Sequence, residues 1–555
     1  MQYISQLEQA EQLLKHGDFN AALAIYDSII AADPKCADAF LGKAQTLASS
    51  QRPKDAIVAY SQFLALRPTS VPALLARAQA RFNISDEERA FEDFDLAAAL
   101  DPDAKYASGM APHLAMKICR WLDFDISVAE LAARVEAGDP VVLPVPFMMM
   151  SASPQLHRKC AEIFARDRIE ARTPARPVTT PAKKIRLGYF SMDFCEHAVS
   201  HLCGGLLRGH DRERFEVTAF TLADNPFDSM RKQIAAHVDH FVNAEKLTVT
   251  EVAARSREMG IDIAIDMNVH LWQQPAIFSH GAAPIQVNYL GYPGTAGADT
   301  HDYIIGDRII TPLEHADHFS ERIVRFPHAY QPTDFHRFEP LRTPARQDVG
   351  LPATGFVFCC FNDSQKITPD VFDIWMRLLK EVDGSVLWLL SCSDAAARNL
   401  RAEAETRGVA ADRLIFAPRM SFYDHLSRHR AADLFLDTFN YNAHTTASDA
   451  LWAGLPLLTM IGETFPSRVA ASLVTAAGIP ELITHSPAEY EQRAHELALN
   501  PEALASVKKR LVDSRMKCPL FDTVRYTRNL EQAYERMMER YRAGLPPDHI
   551  TVVEP

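Results

Sequence analysis

Two hydrophobic patterns divide the chain. Up to about residue 170 the apolar residues recur at helical spacing, whereas from residue 185 onward short and nearly continuous apolar runs alternate with helical segments. The first pattern predicts helices. The second predicts buried strands of parallel sheets that are covered by helices on both faces. A stretch with three prolines and no periodicity, residues 171–184, lies between them and predicts a linker.

Within the helical part the pattern repeats every 34 residues. The repeated positions carry a small residue, an aromatic residue or a proline: Ala10, Ala44 and Ala78; Ala22, Ala56 and Ala90; Tyr26, Tyr60 and Phe94; Pro34, Pro68 and Pro102. Small residues let helices approach closely and each proline ends a helix. This period predicts three tetratricopeptide repeats in residues 1–104, an α-solenoid that binds other protein chains. We expect a helical cap and the proline-rich linker in residues 105–180.

The apolar runs after the linker fall into two sets. The first set is 185–190, 215–220, 261–268, 285–290 and 303–306, and the second is 356–361, 386–391, 413–418, 434–439 and 456–460. A second proline-spaced stretch, 335–355, separates them. We therefore predict two doubly wound, Rossmann-like lobes, 181–340 and 341–545, with a closing helix at 522–543. Ligands bind beyond the carboxyl ends of such strands, so two facing lobes predict a cleft.

Composition and charge narrow the class of protein. A net charge of −13 disfavours nucleic acid as a partner, and nine cysteines without a CxxC pair fit a reducing compartment. There is no signal-peptide pattern and no apolar run of 18 residues, so we expect a cytoplasmic protein without a membrane span. GxGxxG and Walker loops are absent. The acidic pairs Asp93–Asp95 and Asp123–Asp125 lie in the helical part, and we expect them to be solvated.

The sharpest candidate for chemistry is the segment NAHTTASDALWAGLP, residues 442–456, which follows a predicted strand. Thr445 and Thr446 stand where a helix begins, and Asp449 lies one turn further on the same face. A helix N-terminus offers N–H groups and a positive dipole to a phosphate, and Asp449 could reach a ribose diol. The alternative is simple N-capping by threonine.

Two further strand ends carry charged or titratable residues. Lys366 lies in the turn of FNDSQKITP, residues 361–369, where an amine can neutralise a pyrophosphate leaving group; the alternative is an exposed surface lysine. His197 and His201 follow the first strand at i and i+4. They suggest a general base or a substrate hydrogen bond, or else helix capping. No third metal ligand has convincing spacing, so we expect no metal site.

A glycine-rich loop ends the strand at 285–290. Within residues 283–303 the tight segment Gly291, Tyr292, Pro293, Gly294 and Thr295 either contacts substrate or forms only a turn.

The order of these motifs after tetratricopeptide repeats resembles the protein O-linked N-acetylglucosamine transferases and their bacterial relatives. The resemblance covers about 185–545 and is carried by GYFSMDF with His197, APIQVNYLGYPGTAGADTHDYII, SVLWLLS, ADLFLDT, HTTASDALWAGLPLLTMIGETFPSRVAASL and FDTVRYTRNLEQAYERM. It implies a two-lobed glycosyltransferase of the B type (GT-B) that inverts the anomeric carbon without metal or cofactor. The donor would be a uridine diphosphate (UDP) sugar, most simply UDP-N-acetylglucosamine, and the acceptor a serine or threonine of a protein.

The resemblance also assigns roles to single residues. His444, Thr445 and Thr446 would hold the diphosphate, Asp449 the ribose, and His425 with Arg428 the uracil and ribose. Lys366 would stabilise the departing diphosphate, and His197 would be a base or position the substrate. Asp363 stands near the phosphates where family members often carry an amide, and Phe422 replaces a lysine of some relatives.

Several readings stay open at the level of sequence. The enzyme could glucosylate asparagine, or transfer another sugar to one dedicated surface or flagellar protein. An epimerase of nucleotide sugars and a non-catalytic scaffold are further alternatives. The repeats could recruit the acceptor protein or form a homo-oligomer.

Overall fold

The computed structural model describes residues 3–169, 183–271, 275–334 and 342–554. The chain divides into two compact units, residues 1–146 and 147–555. Most of the predicted linker at 171–184, and residues 335–341 of the second proline-spaced stretch, lie outside the described residues. In the described part of the chain, no helix has the length and apolar character needed to cross a membrane.

The first unit is helical. Its helices are α1 (Ile4–Lys15), α2 (Phe19–Ala32), α3 (Ala37–Ser49), α4 (Pro53–Leu66), α5 (Val71–Asn83), α6 (Glu87–Leu100), α7 (Ala107–Lys117) and α8 (Phe124–Ala137). The alanines and aromatic residues of the 34-residue period are buried. The three prolines each follow the end of α2, α4 or α6 by two residues. The predicted tetratricopeptide fold is therefore confirmed.

The expectation that Asp93 is solvated is wrong. Its side chain is buried in α6, where it accepts hydrogen bonds from Arg77 at 2.6 and 2.9 Å and from Arg81 at 2.8 Å. Two arginines from the neighbouring helix α5 compensate its desolvation. Asp95 is exposed, as are Asp123 and Asp125.

The second unit contains two parallel sheets. The first has the strand order β14-β7-β6-β5-β4-β1-β2-β3 and the second β10-β9-β8-β11-β12-β13. The strands of the first are β1 (Ile185–Ser191), β2 (Phe215–Thr221), β3 (His240–Asn243), β4 (Ile263–Asp266), β5 (Ile285–Asn288), β6 (Tyr303–Asp307), β7 (Arg322–Phe326) and β14 (Ile550–Thr551). Those of the second are β8 (Val357–Cys360), β9 (Val386–Leu390), β10 (Leu414–Ala417), β11 (Leu434–Leu436), β12 (Leu457–Met460) and β13 (Ile483–Thr484).

Helices precede, connect or follow these strands, and the parallel pairing of the strands requires crossover connections. The helices are α9 (Pro144–Met150), within which the two units divide, α10 (Pro154–Arg168), α11 (Ala198–Gly209), α12 (Ser229–His237), α13 (Val249–Glu258), α14 (Pro275–Ser279), α15 (Pro369–Glu381), α16 (Asp394–Thr406), α17 (Phe422–Arg428), α18 (Thr445–Ala453), α19 (Val469–Ala476), α20 (Pro487–Leu499), α21 (Pro501–Ser514) and α22 (Thr523–Arg542). The prediction of two parallel α/β lobes is confirmed, and the ten predicted strands are all present.

The closing helix α22 returns to the first lobe through buried polar contacts. The hydroxyls of Tyr526 and Tyr289 are 2.6 Å apart, and those of Tyr534 and Tyr189 are 3.2 Å apart. Glu531 pairs with His210 at 3.1 Å. Buried hydroxyl and carboxylate groups are costly without partners, so these contacts fix the helix against β1 and β5.

Candidate active site

Lys366 follows the carboxyl end of β8, in a short 3-10 helix (Ser364–Lys366) that precedes α15. Its Nζ donates a 3.0 Å hydrogen bond to the carbonyl oxygen of Asn442, in the loop between β11 and α18. Burial lowers the pKa of the amine to about 8, while the charges of Asp437 and Asp363 oppose that shift. Two neighbouring strand ends therefore place one cation beside the start of α18.

Helix α18 begins at Thr445 and ends before Gly454, whose positive φ of 86° fits its predicted position at the helix end. The N–H groups of Ala447 and Ser448 both donate to the carbonyl oxygen of His444. The N–H groups of Thr445 and Thr446 have no acceptors within the helix, because they belong to its first turn. They point outward at the N-terminus, which is also the positive end of the helix dipole. This end of α18 is thus arranged to bind an anion.

The His444 ring contributes an acceptor to this site. Its Nε2 lies 3.2 Å from the carbonyl oxygen of Pro466, which can only accept, so Nε2 carries the proton and Nδ1 a lone pair. Burial, reinforced by the charge of Lys366, lowers the pKa of His444 well below its usual value. The neutral ring suits a hydroxyl of a sugar better than a phosphate oxygen.

Sequence reasoning missed the residues that hold this helix start in place. Asn362 donates hydrogen bonds to Asp437 at 3.1 Å and Thr438 at 2.8 Å, and its Oδ1 accepts one of 2.8 Å from Thr446. The fully buried carboxylate of Asp437 also accepts from the N–H of Ala443 at 2.7 Å. Burial raises the pKa of Asp437 to about 6 despite these donors. Its position at the end of β11 is the signal that could have identified it.

Two further residues were predicted near the donor, Asp449 for the ribose and Asp363 for the phosphates. Asp449 is buried one turn into α18. Asp363 is half-buried and begins the 3-10 helix of Lys366, where its Oδ1 accepts from the N–H of Gln365 at 3.2 Å. The carboxylate that the sequence placed near the phosphates is thus close enough to Lys366 to favour its charged form.

His425 and Arg428 form a second group on α17. Arg428 is buried; its guanidinium lies over the Phe361 ring at 4.6 Å and donates to His425 Nδ1 and to the carbonyl oxygen of Pro418. Nδ1 of His425 is therefore an acceptor, and Nε2 carries the proton. Burial and the neighbouring cations lower the pKa of His425 to about 2. The His425 ring is half-buried, whereas Arg428, which donates to it, is buried.

His197 stands at the N-cap of α11 in the other lobe. Its Nδ1 accepts a 3.3 Å hydrogen bond from the N–H of Val199 and lies 3.7 Å from Oδ1 of Asp193. Asn268, at the end of β4, holds Asp193 with a 2.7 Å hydrogen bond. The ring is about half exposed. The capping alternative is therefore present, and it leaves Nε2 of the neutral ring as a donor.

The glycine-rich loop is mostly interior. Tyr292, Pro293, Gly294 and Thr295 are buried, and only Gly291 is partly exposed. Thr295 donates a 2.6 Å hydrogen bond to the buried carboxylate of Glu321. A Cβ on Gly291 would lie 2.0 Å from the carbonyl oxygen of Met267, so this position requires glycine for close packing. The choice between substrate contact and a simple turn stays a prediction for this segment.

A cavity of about 380 Å³ lies between α11, α12 and the start of α17. The His201 ring, stacked on Phe422 at 4.5 Å, lines it together with Arg208 and Asp334. The cavity brings the helix of His197 next to the helix of His425, but it does not contain Lys366 or His444. Across the described ranges, no cluster of three or more His, Cys, Asp or Glu side chains could hold a metal ion.

The chain is similar to known proteins over most of its length. A model of glycosyl transferase family 41 matches residues 170–343 and 339–530, and a tetratricopeptide-repeat model matches 7–71 and 41–105. The chain is 34% identical over 472 residues to a probable UDP-N-acetylglucosamine–peptide N-acetylglucosaminyltransferase of Arabidopsis thaliana, covering 80% of this chain and 48% of that protein. The corresponding enzyme of Caenorhabditis elegans is 27% identical, with 78% of this chain and 49% of that protein covered.

A solved structure covers the chain more completely. A point mutant of the Thermobaculum terrenum O-GlcNAc transferase superposes with a TM-score of 0.72 at 25% identity, over 96% of each chain. This chain spans about half the length of the two curated relatives that it matches.

Proposed function

Because the chain belongs to glycosyl transferase family 41, we propose that it transfers N-acetylglucosamine from UDP-N-acetylglucosamine to serine or threonine side chains of polypeptides. The names of its relatives support this donor and this acceptor class. The observation that carries the assignment to residues is the hydrogen bond from Lys366 to the loop that ends at the start of α18. It puts a cation and the open N–H groups of Thr445 and Thr446 at one place, where a diphosphate needs both.

The reaction that this arrangement serves is a direct displacement. The acceptor oxygen forms a bond to the anomeric carbon while the bond from that carbon to the β-phosphate oxygen breaks, and UDP leaves. Lys366 and the α18 dipole stabilise the charge that develops on the leaving diphosphate. These charges do the work that a metal ion would otherwise do, so we propose that neither a metal nor a cofactor takes part.

Nucleoside recognition falls to His425 and Asp449, with Arg428 fixing the His425 ring. His197 presents Nε2–H and serves as a hydrogen-bond donor to the substrate. The acceptor proton then passes to a phosphate oxygen of the leaving group or to water. The tetratricopeptide repeats of the first unit bind the polypeptide that is modified.

The test is a panel of nucleotide sugars read by mass spectrometry, with lysate proteins as acceptors and Lys366→Ala and Lys380→Ala compared with wild type. Lys380 is an exposed lysine on α15, so it controls for loss of charge alone. We expect transfer from UDP-N-acetylglucosamine, unchanged by a chelator and by Lys380→Ala and abolished by Lys366→Ala. Fragment spectra distinguish serine or threonine from asparagine linkage. Turnover that survives Lys366→Ala would refute the assigned site.

A further inference from the structure

The side chain of Tyr441 lies between Lys366 and His444. Nζ of Lys366 is 4.2 Å from the centroid of the Tyr441 ring, and the His444 ring stacks on the same phenol ring at 4.7 Å with an interplanar angle of 25°. Tyr441 belongs to the loop between β11 and α18, four residues before the helix start. Lys366 and His444 therefore share one aromatic neighbour.

This geometry fixes the Lys366 amine from two directions. The carbonyl oxygen of Asn442 accepts one of its protons at 3.0 Å, and the Tyr441 ring lies well inside the 6 Å over which a ring face attracts a cation. A lysine side chain is otherwise flexible, so a point charge aimed at a ligand needs such restraints. An ammonium group has three N–H groups, so donors remain for an anion beside the start of α18.

The phenol group of Tyr441 lies near two other tyrosines. Burial raises the pKa of Tyr292, and the proximity of Tyr441 adds to that shift; the same two causes, in the same order, act on Tyr330. Both of these tyrosines belong to the first lobe. Tyr441→Leu removes the ring and Tyr441→Phe removes only the hydroxyl, so the two parts of the side chain can be tested separately.

We propose that Tyr441 is a positioning residue whose ring holds the Lys366 ammonium in place for the diphosphate of the donor. The proposal rests on the proposed function, because it assumes that a nucleoside diphosphate binds beside Lys366. It predicts that the ring matters, that the hydroxyl does not, and that the effect of the ring depends on Lys366.

The test is a double-mutant cycle on UDP binding, measured by calorimetry. The variants are Tyr441→Phe, Tyr441→Leu, Lys366→Met and the double variant Lys366→Met/Tyr441→Leu, with thermal unfolding as a folding check. We expect Tyr441→Phe to bind UDP within about twofold of wild type and Tyr441→Leu to bind about 5- to 30-fold more weakly. In the Lys366→Met background, Tyr441→Leu should change the affinity less than about twofold. If Tyr441→Leu weakened UDP binding equally in the wild-type and Lys366→Met backgrounds, or did not weaken it at all, the role of Tyr441 would be refuted. The proposed function would not be affected by either outcome.

If the wild-type protein bound no UDP, the proposed function would be refuted. A second measurement then still tests the contact between Tyr441 and Lys366. Acetylation of Lys366 by acetic anhydride, followed by mass spectrometry, reports whether the ring covers the amine. We expect Tyr441→Leu to be modified several-fold faster than Tyr441→Phe, since the ring face is lost in the first variant and kept in the second. Equal rates would show that the ring does not restrain Lys366.

Discussion

Thr446 donates a 2.8 Å hydrogen bond to Oδ1 of Asn362, a residue that lies 84 positions earlier in the chain. The amide of Asn362 continues to Asp437 at 3.1 Å. The start of α18 is thereby tied to the ends of β8 and β11, so the N–H groups that we propose to bind the diphosphate are held against the sheet.

Replacing Asn362 by alanine removes this tie. The variant leaves Thr446 and the buried Asp437 short of a partner, and we expect a loss of about 1–3 kcal/mol in the free energy of unfolding together with weaker UDP binding. Asn362→Asp should cost more, because it sets a second carboxylate against Asp437. Thermal unfolding and calorimetry measure both effects.

Asn243→Ala is the matched control for Asn362, since Asn243 also ends a strand but is exposed. We expect it to change neither stability nor binding. If Asn362→Ala behaved like this control, the proposed support of α18 would be wrong.

The lowered pKa of Lys366 predicts an alkaline limit to activity. Burial brings that pKa to about 8, so the free enzyme loses its ammonium group as the pH rises through this value. The kcat/KM profile, which reports ionisations of the free enzyme, should fall above about pH 8. A bound diphosphate favours the ammonium, so kcat should hold to a higher pH.

Lys366→Arg provides the control for this limit, since a guanidinium stays charged throughout the range. Its activity should be lower but should lack the fall near pH 8. An identical alkaline fall in this variant would assign the ionisation to another group.

The orientation of the His197 ring predicts which substitution of this residue retains more activity. With the N–H of Val199 on Nδ1, the neutral ring offers a donor at Nε2. We expect His197→Ala to lower kcat by about 10²-fold, the scale of one lost donor in a preorganised site, and His197→Gln to retain more because its amide can donate. Steady-state kinetics with a peptide acceptor give the comparison. Equal losses in the two variants, together with disappearance of an acidic limb of the pH profile, would make His197 a base.

The first unit offers a stability test that is independent of catalysis. Asp93→Asn leaves Arg77 and Arg81 without their buried counter-charge, and we expect it to destabilise the first unit by about 3 kcal/mol. Asp95→Asn, two residues away but exposed, should stay within about 0.5 kcal/mol of wild type. Calorimetry of the full chain separates the two variants. Similar melting curves would mean that the arginines keep adequate partners in water.

Most of the fold follows from local pattern. The strands that the sequence predicted are buried along nearly their whole length, as their continuous apolar runs require. The strands that it missed lack such runs: β3 is partly exposed, β7 contains two arginines, and β13 and β14 have two residues each. Their pairing depends on neighbours that are distant in sequence.

The site divides in the same way. Lys366, Thr445 and Thr446 could be proposed because strand ends and helix starts are visible locally, whereas His444 was proposed from the family resemblance. Asn362 and Tyr441 were not, because their importance comes from contacts that only the folded sheet creates. Asp93 shows the same limit, since no local pattern announces the two arginines that face it from α5.

The connectivity of the first sheet also determines the order in which the two lobes can fold during synthesis. Its strand β14 pairs with β7 through Ile550 and Val324. Helix α22 forms hydrogen bonds to residues of β1 and of the end of β5 through Tyr534 and Tyr526. A ribosome reaches both elements only after it has made the entire second lobe. The second lobe can therefore fold while the first still waits for its last strand and its closing helix, and during synthesis the first lobe is the one that needs protection from aggregation.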